Sequence, residues 1–222
     1  MTISLFDLCF CFILDSARAN PMQNLPSLLL VSQSPRRKQI LESVGLLFQS
    51  KDPRDVTEKH PEHTEVDEIT CWNATTKAGT LLNHVSDETI LIGCDTLVVL
   101  KNEVLGKPKD KADALATLAK LSGQKHTVVS GLTLLSKKFG KVEVNAKTDV
   151  YFRTLSQKEM YEYAETKEPY DKAGSYAVQG MGTVFIERID GSYTNVMGFP
   201  LETFLRELPG FTKIPLYQWF LA

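Results

Sequence analysis

One carboxylate, Asp95, interrupts the most apolar stretch in the body of the chain, residues 91–100. A continuous apolar run of this kind predicts a strand that is buried on both faces. Because an unpaired charge is costly in such a place, the aspartate is expected to have a partner or a chemical role. Lys107 follows a polar turn, which predicts a short hairpin that returns this lysine to the same site. Two interpretations remain open at this point, a structural Asp95–Lys107 ion pair and a functional site.

A second unusual feature is the start of the helix that is predicted after the first strand. Ser34 fits the N-cap and Pro35 the first helical position, but the next three residues, 36–38, are all basic. The positive end of the helix dipole disfavours cations, so this cluster opposes the helix unless an anion binds it. Backbone N–H groups, guanidinium groups and the hydroxyls of Ser32 and Ser34 suit a polyphosphate. The alternative interpretation is a solvated basic turn.

The elements that position these residues follow from the spacing of apolar positions and from capping and turn residues. In chain order they are strand 28–31, a helix from Pro35 that ends at Gly45, helix 69–82 with Lys77, strand 91–100, a helix capped by Asp110, strands 127–135 and 142–152, a helix with a Ser156–Glu159 capping box, strand 183–189, and a helix from Pro200 through Leu208. Strands and helices that mix without strict alternation predict a mixed α/β (α+β) fold.

Composition limits the possible function classes. The 222 residues suffice for one domain, or for one domain with two lobes. The net charge of −2 provides no general basic field, so a nucleic-acid partner is not expected. The four cysteines have neither a paired framework nor zinc-ligand spacing, which predicts reduced thiols and a cytoplasmic location.

Two further segments of the sequence indicate that neither membrane association nor a histidine metal site is expected. Residues 1–21 contain an apolar run that is too short to span a bilayer and has no positively charged start, so no membrane association is expected. We interpret them as a weakly ordered extension, or as a start codon assigned upstream of Met22, and residues 22–222 as a single domain. His60 and His63 lie in a polar segment without a third ligand, which favours a solvated loop over a metal site.

Taken together, several short segments resemble the Maf family of nucleoside triphosphate pyrophosphatases. They occur in family order and span about residues 27 to 205: residues 31–37 (VSQSPRR), 93–96 (GCDT), 106–108 (GKP), 121–123 (LSG), 168–180 (EPYDKAGSYAVQG) and 191–201 (GSYTNVMGFPL). The resemblance implies a fold similar to the inosine triphosphatases, with a twisted mixed sheet and two lobes around a nucleotide cleft. It also implies a homodimer, a divalent metal (magnesium or manganese), and hydrolysis of the α–β phosphoanhydride to a nucleoside monophosphate and pyrophosphate.

The resemblance also implies roles for individual residues. Asp95 matches the catalytic acidic residue, as a general base for water or as a ligand for magnesium. Phosphate-binding positions are Ser32, Ser34, Arg36, Lys77 and Lys107, and the positions for substrate specificity are Arg37, Thr96 and Gln179. The chain departs from the family at Val56 and Thr57, where an acidic pair is usual. The acidic residues near that position are Asp55 and Glu58, and Glu58 is the expected second metal ligand beside Asp95.

The side chain at position 179 distinguishes the substrate subgroups of the family. An amide both donates to a pyrimidine carbonyl and accepts from its N3–H, whereas a carboxylate only accepts, which suits guanine. Gln179 therefore matches the relatives that hydrolyse dTTP and UTP, together with Arg36 and Arg37. Two alternatives remain open: preference for 7-methyl-GTP or another modified nucleotide, and a regulator of cell division that binds nucleotide without turnover.

Overall fold

The structure, a computed structural model, describes residues 25–58 and 65–220. In this part of the chain the strands are β1 (Leu28–Val31), β2 (Gln49–Lys51), β3 (Ile90–Leu100), β4 (Glu103–Leu105), β5 (Lys125–Ser136), β6 (Gly140–Phe152) and β7 (Ile186–Asp190). The helices are α1 (Pro35–Ser43), α2 (Val66–Gly79), α3 (Lys111–Leu121), α4 (Gln157–Ala164), α5 (Tyr193–Val196) and α6 (Leu201–Thr212). The histidines at 60 and 63 and the segment 1–21 lie outside the described residues.

The described strands form one mixed sheet in the order β2-β1-β3-β5-β6-β7, and β4 pairs with β3. Strands β2, β1 and β3 are parallel to each other, and the remaining pairs are antiparallel. The last parallel pair between β1 and β3 joins Leu30 to Ile92, and β3 continues well beyond it. Asp95 therefore lies just past the carboxyl end of β1, where sheets with parallel strands usually bind ligands. The predicted mixed α/β class is confirmed.

Strand β3 contributes to two separate parts of the core. Its first half, with Ile92 and Cys94, packs in a cluster with β1, α1 and α6. Its second half, with Val98 and Leu100, packs in another cluster with α3, β6 and residues before α4. Asp95 lies between these two halves, so the buried carboxylate marks the boundary between two apolar cores.

Two glycines allow helix α2 to lie directly on the sheet. A Cβ atom built on Gly93 of β3 would be 2.1 Å from the backbone oxygen of Ala74 in α2. One built on Gly131 of β5 would be 2.3 Å from the backbone carbon of Thr70. Gly131 pairs with Asp95 across the two strands. This close approach brings the side chains of α2 within reach of the carboxylate.

Substitution Gly93→Ala is expected to lower the free energy of unfolding by about 2–3 kcal/mol, because the added methyl group meets helix backbone that must move as a unit. Denaturant unfolding measures this change, and nucleotide turnover should fall as well. Gly79→Ala is the matched control in α2, where the added methyl group meets open space, so its stability should stay within about 1 kcal/mol of the wild type. Equal effects of the two substitutions would contradict the close packing.

Some element boundaries differ from the sequence predictions. The strand expected at 183–189 begins later, because residues Met181–Phe185 form a 3₁₀ helix before β7. The final helix does not end at Leu208 but passes through Pro209 to Thr212, where Lys213 adopts a left-handed conformation and ends it. No helix in the described ranges 25–58 and 65–220 is long and apolar enough to span a membrane.

Candidate active site

A cleft of about 600 Å³ opens at the boundary between the two apolar cores. This volume lies within the usual range for small-molecule sites. This cleft is lined by every residue to which the resemblance assigned a catalytic, metal-binding, phosphate-binding or specificity role: Ser32, Ser34, Arg36, Arg37, Glu58, Lys77, Asp95, Thr96, Lys107 and Gln179. The structure therefore brings together residues that are spread over almost 150 positions of the chain.

Asp95 is buried at the bottom of the cleft, with only 4% of its surface exposed. Lys77 of α2 places its Nζ 2.7 Å from Asp95 Oδ1, and Asn73, one helical turn earlier, donates from Nδ2 to Asp95 Oδ2 over 3.0 Å. The same Lys77 Nζ lies 2.6 Å from Glu58 Oε1. One ammonium group thus joins a buried carboxylate to a half-exposed one.

The surroundings of Asp95 keep its carboxylate charged. Burial alone would raise the pKa of this carboxyl group, but the Lys77 ammonium and hydrogen bonds from Lys77 and Asn73 outweigh burial, and the pKa falls below its ordinary value. A carboxylate of this kind is a weak proton acceptor and a strong partner for cations. Asp95 therefore acts in this arrangement mainly through its negative charge.

The partner of Asp95 differs from the one expected from sequence. The prediction of an Asp95–Lys107 ion pair is wrong, because Asp95 pairs with Lys77 instead. Lys107 lies after β4 and lines the same cleft from an exposed position. The predicted hairpin between β3 and β4 does form, and it returns Lys107 to the cleft mouth and not to the buried carboxylate.

Arg37 of α1 is fixed by three neighbours. Its Nε donates to the backbone oxygen of Gly198 over 2.8 Å, Nη1 donates to Ser32 Oγ over 3.3 Å, and Nη2 donates to Thr96 Oγ1 over 3.3 Å. The hydroxyl of Thr96 also contacts Ser130 Oγ at 2.8 Å. These contacts hold the guanidinium group rigidly beside β3, as expected for an arginine that positions a ligand.

Arg36 and the segment after α4 meet across the cleft. Arg36 Nη1 lies 3.2 Å from Asp171 Oδ2, and Asp171 also pairs with Lys172, whose Nζ donates to the backbone oxygen of Glu168 over 3.2 Å. The first turn of α1 contains no acidic residue, as the sequence indicated. The amino end of α1 and the cations of both sides therefore face one space.

Part of the cleft wall is apolar. It is formed by residues from β3, β5, the segment before Gln179 and α5, namely Val98, Val128, Tyr176, Ala177, Val178 and Val196. Gln179 itself is exposed within the cleft. The cleft thus combines charged groups with apolar groups and an amide, which suits a ligand with an anionic tail and an uncharged ring.

Three further polar residues of this site were not predicted from the sequence: Asn73, Asp171 and Lys172. Asn73 lies on the face of α2 that carries Lys77 one turn later, and this spacing was the available signal. Asp171 and Lys172 lie within the family-like segment 168–180, but no role was assigned to them. Their function depends on the position of this segment opposite α1, which no local pattern shows.

The carboxylates at the cleft can be compared with the needs of a divalent metal. Within the described residues, no three His, Cys, Asp or Glu side chains are grouped closely enough to hold a metal ion. Magnesium, however, often uses one or two carboxylates and takes its other ligands from substrate phosphates and water. Asp95 and Glu58 fit this need, because one oxygen of each converges on the same cationic centre, Lys77 Nζ.

The fold and the cleft together define a mixed α/β protein with a site for an anionic ligand at the carboxyl end of a parallel strand pair. The family model for Maf-like proteins matches residues 27–211, and the chain belongs to this family. The predicted family is confirmed.

Curated relatives match most of the chain. A dTTP/UTP pyrophosphatase from Thermoanaerobacter sp. is 40% identical over 178 residues, which cover 78% of this chain and 91% of the relative. Proteins with the same name from Bacillus pumilus and Bacteroides fragilis are each 39% identical, and the alignments cover 85% and 82% of this chain and 98% and 94% of the relatives.

Two solved structures also overlap with the chain. A nucleoside-triphosphatase / dITP/XTP pyrophosphatase from Mycobacterium abscessus has a TM-score of 0.37 at 16% identity, covering 83% of this chain and 94% of its own. A HAM1 protein from Coxiella burnetii has a TM-score of 0.42 at 11% identity, and the match covers 88% of this chain and 95% of the HAM1 chain. Both scores are too low to carry an argument, so the fold class rests on the sheet described above.

Proposed function

We propose that this protein hydrolyses dTTP and UTP to the nucleoside monophosphate and pyrophosphate. The observation that carries the proposal is the position of Asp95, buried in a cleft whose walls also bear Arg36, Lys107 and Gln179. Membership of the Maf-like family and the shared name of the curated relatives support the choice of substrate.

Charge supports the need for a divalent cation. Five basic side chains and four carboxylates line the cleft: Arg36, Arg37, Lys77, Lys107 and Lys172 against Asp55, Glu58, Asp95 and Asp171. A triphosphate carries up to about four negative charges, so the protein alone leaves most of that charge unbalanced. Asp95 and Glu58 would hold magnesium or manganese there. A bound divalent ion would supply charge neutralisation and polarise a phosphoryl oxygen.

The other residues of the cleft have separate tasks in this proposal. The amino end of α1, with Ser32 and Ser34, binds phosphate oxygens through neutral donors, and Arg36 and Lys107 bind them through charge. Phosphoryl transfer depends mainly on such positioning and charge stabilisation. Asp95, held by Lys77 and Asn73, orients the attacking water or the metal, and its low pKa favours the role of a charged ligand over that of a strong base.

Gln179 accounts for the preference for a pyrimidine. Its amide group both donates and accepts, which matches the carbonyl and N3–H of thymine and uracil. The guanidinium group of Arg37 and the hydroxyl of Thr96 lie on the same side of β3 and limit the space beside the ligand.

A nucleotide panel tests the proposal. Pyrophosphate release with magnesium should be fastest for dTTP and UTP, with kcat/KM at least about tenfold above that for CTP and GTP. Cytosine has no N3–H to donate to the amide, and the larger purine ring of guanine places its donor and acceptor edge farther from the sugar. If 7-methyl-GTP is the best substrate, the interpretation of Gln179 is wrong. If dTTP binds but is not hydrolysed, the protein is a nucleotide-binding regulator.

We also expect the protein to be a homodimer. Light scattering, which measures the molar mass in solution, would test this expectation.

A further inference from the structure

A carboxylate behind the cleft holds the loop that carries Gln179. Glu168, at the start of the 3₁₀ segment Glu168–Asp171, accepts hydrogen bonds from the backbone nitrogens of Met181 over 3.0 Å and Gly182 over 2.9 Å. It accepts a third from the hydroxyl of Tyr163 over 2.9 Å. Burial would raise the pKa of this carboxyl group, but these three donors outweigh burial and lower the pKa, so Glu168 stays charged.

The loop is closely shaped around this carboxylate. Gly180 has a φ of +136°, and a Cβ atom there would be 2.5 Å from Glu168 Oε2. On the other side, the hydroxyl of Thr183 donates to the backbone oxygen of Val178 over 2.5 Å. Gln179 is therefore the exposed residue of a short turn whose flanking backbone is held on both sides.

The same segment also contacts a cation that lines the cleft. Asp171, three residues after Glu168, pairs with Arg36 of α1, and Lys172 donates to the backbone oxygen of Glu168. One short segment thus contacts both the cation that faces the phosphates and the loop that faces the base. Two backbone N–H groups would lose their acceptors if the carboxylate were removed, which is costly above all at Gly182, whose hydrogen bond is partly buried.

From these contacts we propose that Glu168 is a positioning residue that sets the base selectivity of the enzyme by fixing the Gln179 loop. The proposal rests on the proposed function in one respect, that Gln179 contacts the base. Glu168 lies behind the cleft wall and acts through the backbone of residues 180–182 and not on the reacting atoms.

The substitution Glu168→Gln tests this inference, because it keeps the shape of the side chain but replaces one acceptor oxygen with a donor nitrogen. We expect KM for dTTP to rise about tenfold while kcat stays within about threefold of the wild type, since binding of the base is lost in the ground state and the transition state alike. The ratio of kcat/KM for dTTP to that for GTP should fall by about the same factor.

Binding of inorganic tripolyphosphate separates this role from general loosening of the protein. This probe has no base, so Glu168→Gln should weaken binding of dTTP but leave the affinity for tripolyphosphate unchanged in calorimetric titration. Equal weakening for both ligands, or unchanged dTTP binding in a folded variant, would overturn the proposal. Loss of turnover in equal proportion for all nucleotides would also overturn it, because a merely structural role predicts that result.

Two more variants keep the test decisive. Glu165→Gln makes the same chemical change three residues earlier, at a surface glutamate that pairs with Lys111, and should leave every value unchanged. Tyr163→Phe removes one of the three donors and should shift selectivity in the same direction by a smaller factor, even if Glu168→Gln fails to fold. If the wild type hydrolyses no nucleotide, the proposed function fails, while the binding of dTTP and tripolyphosphate still decides the role of Glu168.

Discussion

Replacement of Asp95 by asparagine is expected to lower kcat for pyrophosphate release from dTTP by about 10³-fold. The asparagine keeps the size of the side chain and one acceptor oxygen, but it removes the charge that orients water or metal beside the phosphates. Lys77 then keeps the ion pair with Glu58. Steady-state release of pyrophosphate measures the effect, with thermal unfolding to confirm that the variant is folded.

Asp87→Asn is the matched control for this prediction. Asp87 forms an ion pair with Lys137 at the surface, and its side chain is 76% exposed, so the same chemical change there should leave turnover unchanged. A rate for Asp95→Asn within tenfold of the wild type would show that another group activates the water, and the assignment of Asp95 would be wrong.

The substitution Lys77→Met is expected to lower the free energy of unfolding by about 3–5 kcal/mol at neutral pH. Lys77 is 7% exposed and joins Asp95 to Glu58, so its removal takes the ion-pair partner from a buried carboxylate that lies near a second carboxylate. Urea unfolding measures this loss. Lys147→Met, which removes the surface pair between Lys147 and Asp67 of α2, should cost at most about 1 kcal/mol.

The deficit of Lys77→Met should become smaller as the pH falls from 7 to 4. In the wild type the pKa of Asp95 is lower in the folded protein than in the unfolded chain, where it is about 3.9. The ion pair therefore stabilises the fold fully above about pH 3.9, and this contribution is lost only as the pH falls through the lower pKa of the folded protein. Without Lys77, burial raises the pKa of Asp95, so acid protonates the carboxyl group and removes the repulsion. A deficit that is constant with pH would contradict a charged Asp95.

Signals from neighbouring residues in the sequence were sufficient to predict much of the fold. The apolar run around Asp95 predicted strand β3, and the Ser34–Pro35 pair predicted the start of α1, because both depend on neighbours in sequence. The capping box of Ser156 and Glu159 forms as expected. By contrast, β2 was not predicted, since its three exposed residues carry no apolar pattern and pair only with the edge of β1.

The contacts within the site could be predicted less well, because they depend on packing between distant elements. Nothing near Asp95 in sequence indicates that Lys77 and not Lys107 is its partner. That choice follows from the close approach of α2 to Gly93 and Gly131. The role of Glu168 is hidden for the same reason, since its acceptors face backbone N–H groups that lie 13 and 14 residues later in the chain.

A crystal structure of the Asp95→Asn variant with dTTP and magnesium would test the central claim most directly. The claim predicts one nucleotide in this cleft, with its triphosphate between Arg36, Lys77 and Lys107 and its base against the amide of Gln179. A nucleotide bound elsewhere on the protein, or one in the cleft with its phosphates turned away from position 95, would contradict it.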